Sequence, residues 1–439
     1  MWRLKRFKSR QHVRKFTKSE AHLIRAEHTI PLGSQTFSKS RTQYPVGISP
    51  LYIEKAKGCE VWDVDGNKYV DLVSSLASVT LGYGDSRVDS AVRKQLKRGV
   101  TFSLPGTLEA EVAEMICNIV PSAEMVRFGK NGTDATTAAV RLARAYTGKD
   151  RIVVCGYHGW QDWYIGSTTR NKGVPQATSE LTEVFKYNDL QSLRNILSER
   201  NDVACVVMEP MNLNFPNPGF LEGVRELTKA HGVVLVFDET ITGFRFSEGG
   251  AQELFNVIPD LSTFGKGIAN GFPLSVVTGK REIMMEMEEI FFSGTFGGEL
   301  LSLAAAKAVL QLHINQEVVP QLRQIGTDLK ERLSLAISET NTDQLLSLSG
   351  DPTWVFLSWQ GTENYSPEIL KTYFLQEMFQ LGVLILGTHN VNLAHTPKQL
   401  KKLEESYLTT LSSISKGVSQ DNLESKIRVS PLKPLFKVR

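Results

Sequence analysis

Hydrophobic positions along this chain follow two rhythms. Between about residues 70 and 315, short unbroken apolar runs alternate with stretches at helical spacing. Ala135, Ala138, Ala139, Leu142 and Ala143 share one helix face. Arg151-Ile152-Val153-Val154-Cys155, Val203 to Met208 and Val233 to Phe237 are apolar at successive positions rather than alternate ones. Such strands are covered on both faces, which predicts a parallel sheet between helices. Phe220 to Ala230 reads as a helix with Gly232 just past its end, and the strand 233–237 follows at once. The flanks are different. Strand-like Leu51–Glu54 and Glu60–Val64 surround Gly58, and Asp65-Gly66 supplies a hairpin turn before Lys68-Tyr69-Val70. Trp354 to Trp359 reads as a strand, Pro367 to Leu381 as a helix, and Val383 to Leu386 as a further strand.

These rhythms divide the chain into a large α/β unit over residues 70–315 and a small α+β domain built from both flanks, 28–69 and 316–416. A basic N-terminal arm, 1–27, and a basic C-terminal tail, 417–439, complete it. Eight of the first twenty residues are Lys or Arg, opposed only by Glu20. A basic arm can meet nucleic acid or anionic lipid, or it can be a frayed, solvated terminus. The solvated reading is adopted here, so no nucleic-acid partner is expected. An Arg-rich, acid-poor start is also the composition of a transit peptide, but it lacks the apolar core of a secretion signal. No run of about 18 apolar residues is present, so no membrane insertion is expected. Cys59, Cys117, Cys155 and Cys205 form no CxxC pair and read as reduced thiols, and no metal-ligand spacing appears. The expected location is cytoplasmic.

Candidate chemistry gathers around Lys266, in Ser262-Thr263-Phe264-Gly265-Lys266-Gly267-Ile268. Two flanking glycines allow close approach of a ligand to the backbone. Upstream, the strand 233–237 ends in Asp238-Glu239, and carboxyl ends of parallel strands are where open α/β sheets bind ligands. An amine that can form a Schiff base and a carboxylate that can hold a ring nitrogen protonated are the minimum set for pyridoxal phosphate chemistry. A Gly-rich surface loop is the alternative reading of Lys266 alone. Gly129 to Thr136 opens the alanine-rich helix with free N–H groups and hydroxyls, suited to a phosphate or to an ordinary Thr133 cap, and it lacks the P-loop pattern. Gly156-Tyr157-His158-Gly159 follows the strand 151–155, where an aromatic ring can stack on a flat ligand or simply join the core.

Together with Trp62-Asp63-Val64-Asp65-Gly66, Glu209-Pro210, Gly294-Thr295-Phe296 and Ala394-His395-Thr396, these motifs resemble the class III, fold-type I pyridoxal-phosphate aminotransferases, glutamate-1-semialdehyde aminomutase-like branch. The resemblance covers about residues 28 to 415. It implies a large domain with a mostly parallel seven-stranded sheet, pyridoxal 5'-phosphate as cofactor, and a homodimer with shared sites. By that resemblance Lys266 carries the cofactor and Asp238 pairs with its ring nitrogen. Tyr157 stacks on one ring face, Thr240 packs near the other, and Asn214 meets the ring hydroxyl. Gly132 and Thr133 hold the phosphate, and Thr295 reaches that of the neighbouring subunit. Glu209 and His158 are further substrate-side candidates.

The mutase pattern is broken in several places. Lys39 stands where the mutase has its carboxylate-binding arginine, and lysine lacks the bidentate fork. Val73 to Ala77 has no tryptophan. Gly387 to Asn392 is shorter and has no acid. The loop Ser167 to Gly173 brings Arg170 and Lys172. These changes imply a different amino acceptor, an anionic or sugar-derived carbonyl. The reaction expected is amino transfer from an amino acid donor to a small oxo or aldehyde acceptor. The alternatives are an intramolecular aminomutase and a non-enzymatic interaction protein on the same scaffold, the last opposed by the presence of both Lys266 and Asp238.

Overall fold

The computed structural model describes residues 13–433. Seven strands form the large sheet, in the order Met125–Gly129, Ser275–Gly279, Leu261–Phe264, Val234–Asp238, Val203–Met208, Arg151–Cys155 and Thr182–Val184. Only Ser275–Gly279 runs against its neighbours, and the other pairs are parallel. The central strands are buried at every position. Their alternate side chains feed two different cores. Ile152, Val154, Cys205, Val207, Val234 and Val236 face the helix Gly132–Thr147. Val153, Val206, Met208, Leu235 and Phe237 face the side covered by Leu190–Glu199 and Phe220–Ala230. Burial on both faces explains why these strands read as unbroken apolar runs.

The flanks meet in a second sheet. Ile53–Lys57, Glu60–Asp63 and Lys68–Asp71 form an antiparallel meander, and Val383–Leu384 joins its edge in parallel, with Val383 opposite Val70. A three-stranded sheet, Leu346–Ser349, Trp354–Trp359 and Thr388–Asn390, lies beside the long helices Val319–Glu339 and Pro397–Ser419. One apolar cluster runs from Phe16 and Tyr69 through Leu303 to Phe374 and Leu411. Both ends of the chain therefore contribute to one sheet and one apolar cluster.

The termini differ from the expected solvated arm and tail. Thr17–Glu27 is a helix, with Phe16 and Leu23 buried. Asp65 receives the backbone N–H groups of Lys18 and Ser19 at 2.7 and 2.9 Å, so the turn residue of the hairpin also caps this helix. Arg14 lies over the Tyr69 ring at 5.5 Å. Phe16 and Leu23 are seven residues apart, which places both on one face while most of the charges stay in water. At the other end, residues 417–419 complete the helix Pro397–Ser419, Leu423 is fully buried, and the N–H groups of Arg428 and Leu432 are accepted by Gln376 and Thr372 at 2.9 Å each. The rest of the arm and tail, residues 1–12 and 434–439, lies outside the described residues. Among those described, no helix is long and apolar enough to cross a membrane.

Phe16→Ala tests this correction. Removing a buried phenylalanine is expected to cost about 3 kcal/mol of unfolding free energy, readable as a lower denaturant midpoint. A solvated arm would show no change.

Candidate active site

The loops after four neighbouring strands converge at the carboxyl edge of the large sheet. Tyr157 and His158 follow Arg151–Cys155, Glu209 follows Val203–Met208, Thr240 follows Val234–Asp238, and Lys266 follows Leu261–Phe264. With Gly132, Thr133 and Asp238 they line a cavity of about 490 Å³. Parallel strands bring their ends to one edge, so residues 109 positions apart in sequence, Tyr157 and Lys266, share one wall.

Asp238 is the polar centre of this cavity. It is 5% exposed, and burial alone would raise its pKa. Hydrogen bonds outweigh that effect. His158 Nδ1 lies 2.9 Å from Oδ2. Thr240 donates to Oδ1 from its hydroxyl at 2.6 Å and its N–H at 3.1 Å, and the Thr263 hydroxyl adds another at 3.1 Å. The carboxyl group is held below the usual carboxylate range, with His158 and Thr240 as the stabilising partners. The other ring nitrogen of His158 faces the Cys155 carbonyl at 3.1 Å. His158, which the sequence offered as a substrate contact, is thus a buried partner of Asp238.

Lys266 has a left-handed backbone, φ 43°, at the start of a short 3-10 turn. Burial pushes its amine down from 10.5 to about 8; Glu209 and Asp238 oppose the shift, and the Arg245 charge adds to it. Glu209 accepts the Tyr157 N–H at 2.9 Å and the Asn212 amide at 2.8 Å, which fixes it in the wall. Burial holds its carboxyl above the usual range, partly offset by His158.

Beside Thr240 and the Lys266 loop, Gly132 and Thr133 open the helix Gly132–Thr147. Asp134 accepts the N–H groups of Lys130 and Asn131 at 2.9 and 2.7 Å. Among the described residues, the buried Thr133 hydroxyl has no hydrogen-bond partner. A side chain at Gly159 would place its Cβ 2.5 Å from that oxygen. An unpartnered buried hydroxyl beside a helix N-terminus, kept clear by a glycine, fits an anionic ligand group such as a phosphate. With Asp238 and Lys266 in the same cavity, the donor set fits pyridoxal phosphate.

Several sequence candidates fall elsewhere. Asn214 is exposed and does not line the cavity; Asn212, two residues earlier, reaches Glu209. Lys39 is exposed, and its loop instead presents Gln35 and Thr36 to the cavity. Arg170 packs over the Phe37 ring at 4.5 Å, joining the 167–173 loop to the 31–39 loop outside the cavity lining. Thr295 is exposed on a neighbouring cavity shared with Gly129, Lys130 and Asp134. Sequence reading missed Thr263, Ser78, Gln35 and Thr36. Thr263 reaches Asp238 only through strand register, in which the two are paired neighbours. Among the described residues, no group of His, Cys, Asp and Glu side chains is placed to hold a metal ion.

Known proteins resemble this chain in sequence and in fold. The family model for class-III aminotransferases matches residues 43–414. Glutamate-1-semialdehyde 2,1-aminomutase 2 of Brevibacillus brevis is 36% identical over 422 residues, covering 89% of this chain and 97% of that protein. Among solved structures, the PLP internal aldimine form of FumI from Sphingopyxis sp. MTA144 superposes with a TM-score of 0.86 at 25% identity, covering 94% of this chain and 99% of that one. A glutamate-1-semialdehyde aminomutase of Pseudomonas aeruginosa shares the fold, with a TM-score of 0.80 at 23% identity over 91% of this chain and 95% of that one. With the family model spanning most of the chain and relatives more than 30% identical over nearly their whole length, the chain belongs to the class III aminotransferases.

Proposed function

We propose that this protein transfers an amino group from an amino acid donor to a small oxo or aldehyde acceptor, sugar- or nucleotide-sugar-derived. It is a pyridoxal-phosphate-dependent enzyme of its family. The observation that carries the finer reading is the lining of the substrate side. There Gln35, Thr36 and Ser78 are neutral hydrogen-bonding groups, and no arginine lines the cavity among the described residues. Neutral groups suit a hydroxylated acceptor better than a carboxylate, which favours a guanidinium fork. A second reading, an intramolecular aminomutase, is favoured by the names of relatives such as the one from Brevibacillus brevis.

Bound in this cavity, pyridoxal phosphate supplies an electron sink for negative charge at the substrate carbon. Gly132 and Thr133 would hold its phosphate, Tyr157 would cover its ring, and Lys266 would anchor it. The protein's own contribution is electrostatic and positional. Asp238 stays ionised, so its carboxylate can keep a proton on a nitrogen facing it. His158, Thr240 and Thr263 fix the direction in which that carboxylate points. Lys266 Nζ, neutral for part of the time near pH 8, can take up a proton and deliver it to a neighbouring carbon. Thr240 lies against Gly132, where a Cβ would meet its methyl at 3.1 Å, so it closes one side of the cavity. We also assign Thr295 to the phosphate of a second copy in a homodimer. It sits in an exposed loop beside Phe291, which is 83% exposed, and Phe296.

Product analysis separates the two reactions. A transaminase releases an oxo acid and requires a separate donor, whereas a mutase conserves the amine within one molecule. Release of stoichiometric oxo acid is expected; isomerisation of a lone amino compound would replace the first reading by the second. Lys266→Ala is expected to bind the cofactor without a covalent link, and borohydride treatment of wild type should fix the label on Lys266 alone.

Asp238→Asn should retain cofactor yet turn over at least about a hundredfold more slowly, roughly 3 kcal/mol of barrier, because a neutral amide cannot hold the proton. Near-normal turnover would remove Asp238 from this role.

The lowered pKa of Lys266 gives a pH test. The amine is protonated below about 8 and free above it. The rate at which pyridoxal phosphate attaches to cofactor-stripped protein is therefore expected to rise with pH, with a midpoint near 8 instead of 10.5. Stopped-flow absorbance across that range reads the midpoint directly.

A further inference from the structure

Four consecutive non-glycine residues, Ser74, Ser75, Leu76 and Ala77, have φ of 45°, 50°, 60° and 66°. L-residues visit this region singly and at a steric cost, so a run of four is a strained left-handed turn that its surroundings must impose. Those surroundings are polar and specific. Asp71 Oδ1 accepts the N–H groups of Val73 and Ser74 at 2.7 and 3.1 Å. The Asn390 amide donates to the Val73 carbonyl at 2.8 Å. The Ser74 hydroxyl donates to the Asn390 carbonyl at 2.7 Å and receives the Asn392 amide at 3.1 Å. Between those two asparagines, the Val391 carbonyl accepts the fully buried Arg245 guanidinium at 3.1 Å, and the same nitrogen reaches the Thr353 carbonyl at 2.9 Å. The shortened, acid-free loop of the sequence thus lies behind the cavity wall as its support.

The turn delivers one residue to the cavity. Ser78 lines it, and its hydroxyl donates to the Ser75 carbonyl at 2.8 Å. With its proton committed there, the Ser78 oxygen offers only lone pairs to a ligand. Beyond it, Asn270 of the Lys266 loop accepts the N–H groups of Thr80 and Leu81 at 3.0 and 2.9 Å, so the far end of the segment is tied to the lysine. Leu76 packs against the apolar core, but Ser75 is only partly buried and makes no part of that cluster.

We infer that residues 74–77 are a strained brace that fixes Ser78 as a hydrogen-bond acceptor for a hydroxyl group of the substrate, with Asp71, Asn390, Asn392 and Arg245 as positioning residues. This rests on the reading of the cavity as a pyridoxal-phosphate site that takes a hydroxylated substrate.

Ser75→Gly tests it, because glycine adopts the left-handed region without a Cβ penalty and keeps the carbonyl that holds Ser78. Two probes attack the lysine-bound cofactor and differ in a terminal hydroxyl: O-(2-hydroxyethyl)hydroxylamine and methoxyamine. After correction for their rates with free cofactor, wild type is expected to prefer the hydroxylated probe about fivefold, the scale of one hydrogen bond. In Ser75→Gly that preference should fall below about twofold, the melting temperature should rise by about 2 °C, and amides of residues 73–79 should exchange faster. Asn392→Ala should lose the same preference while retaining its rate with methoxyamine. Absence of the preference in wild type, its persistence in Ser75→Gly, or a melting temperature that fails to rise would each overturn the inference. If wild type does not bind the cofactor covalently, the parent reading fails instead, and melting and exchange still decide whether the turn is strained.

Discussion

A buried carboxylate that must stay charged is the constraint around which this molecule is organised. Asp238 ends the central strand of the large sheet, where desolvation opposes its ionised form. Four hydrogen bonds from three residues counter that cost: one from His158, two from Thr240 and one from Thr263. They arrive from three different strand ends, so the sheet register is a condition of the site's electrostatics. A one-residue slip of Leu261–Phe264 would replace Thr263 with a side chain from the other face of the sheet.

The same burial acts in the opposite sense on Lys266. Removing water destabilises an ammonium as it destabilises a carboxylate, but the lysine lacks a matching set of partners, and its pKa falls instead. One cavity thereby keeps an acid ionised and a base partly neutral. Glu209 sits between these outcomes: buried, bonded to a backbone N–H and an asparagine amide, and shifted upward. Environment, more than residue type, separates the roles of the three groups.

Glycines and left-handed residues mark where the backbone must yield to the cavity. Gly159 leaves space beside the Thr133 hydroxyl, and Gly267 leaves space for Thr80, which a Cβ would approach to 2.6 Å. Lys266 and the run from Ser74 to Ala77 hold positive φ with no such relief. The Ser74 turn is held by Asn390 and Asn392, so the C-terminal part of the chain shapes a wall of the site without supplying its charged groups.

The local signals in the sequence were sufficient for three of the seven strands of the large sheet. Val203–Met208 and Val234–Asp238 read as strands because burial on both faces demands apolar residues at every position. Lys266, Asp238, Gly132 and Thr133 were likewise visible, since glycine spacing and strand ends are local features. Charge counting misjudged the termini, because a basic helix can bury one stripe through Phe16 and Leu23 while its lysines stay in water. Asn214 was chosen by offset within a loop whose course the sequence does not encode, and the fold brings Asn212 to Glu209 instead. Lys39 and Arg170 carried the right charge but lie outside the cavity lining. Pairing between distant segments decided the rest: Thr263 beside Asp238, Val383 beside Val70, and Asn392 on Ser74. The sequence by itself determined which residues have the chemistry and which strands must be buried. Only the tertiary structure decided which of them meet, because long-range register and the pairing of segments from both ends of the chain in one sheet depend on contacts that no local pattern records.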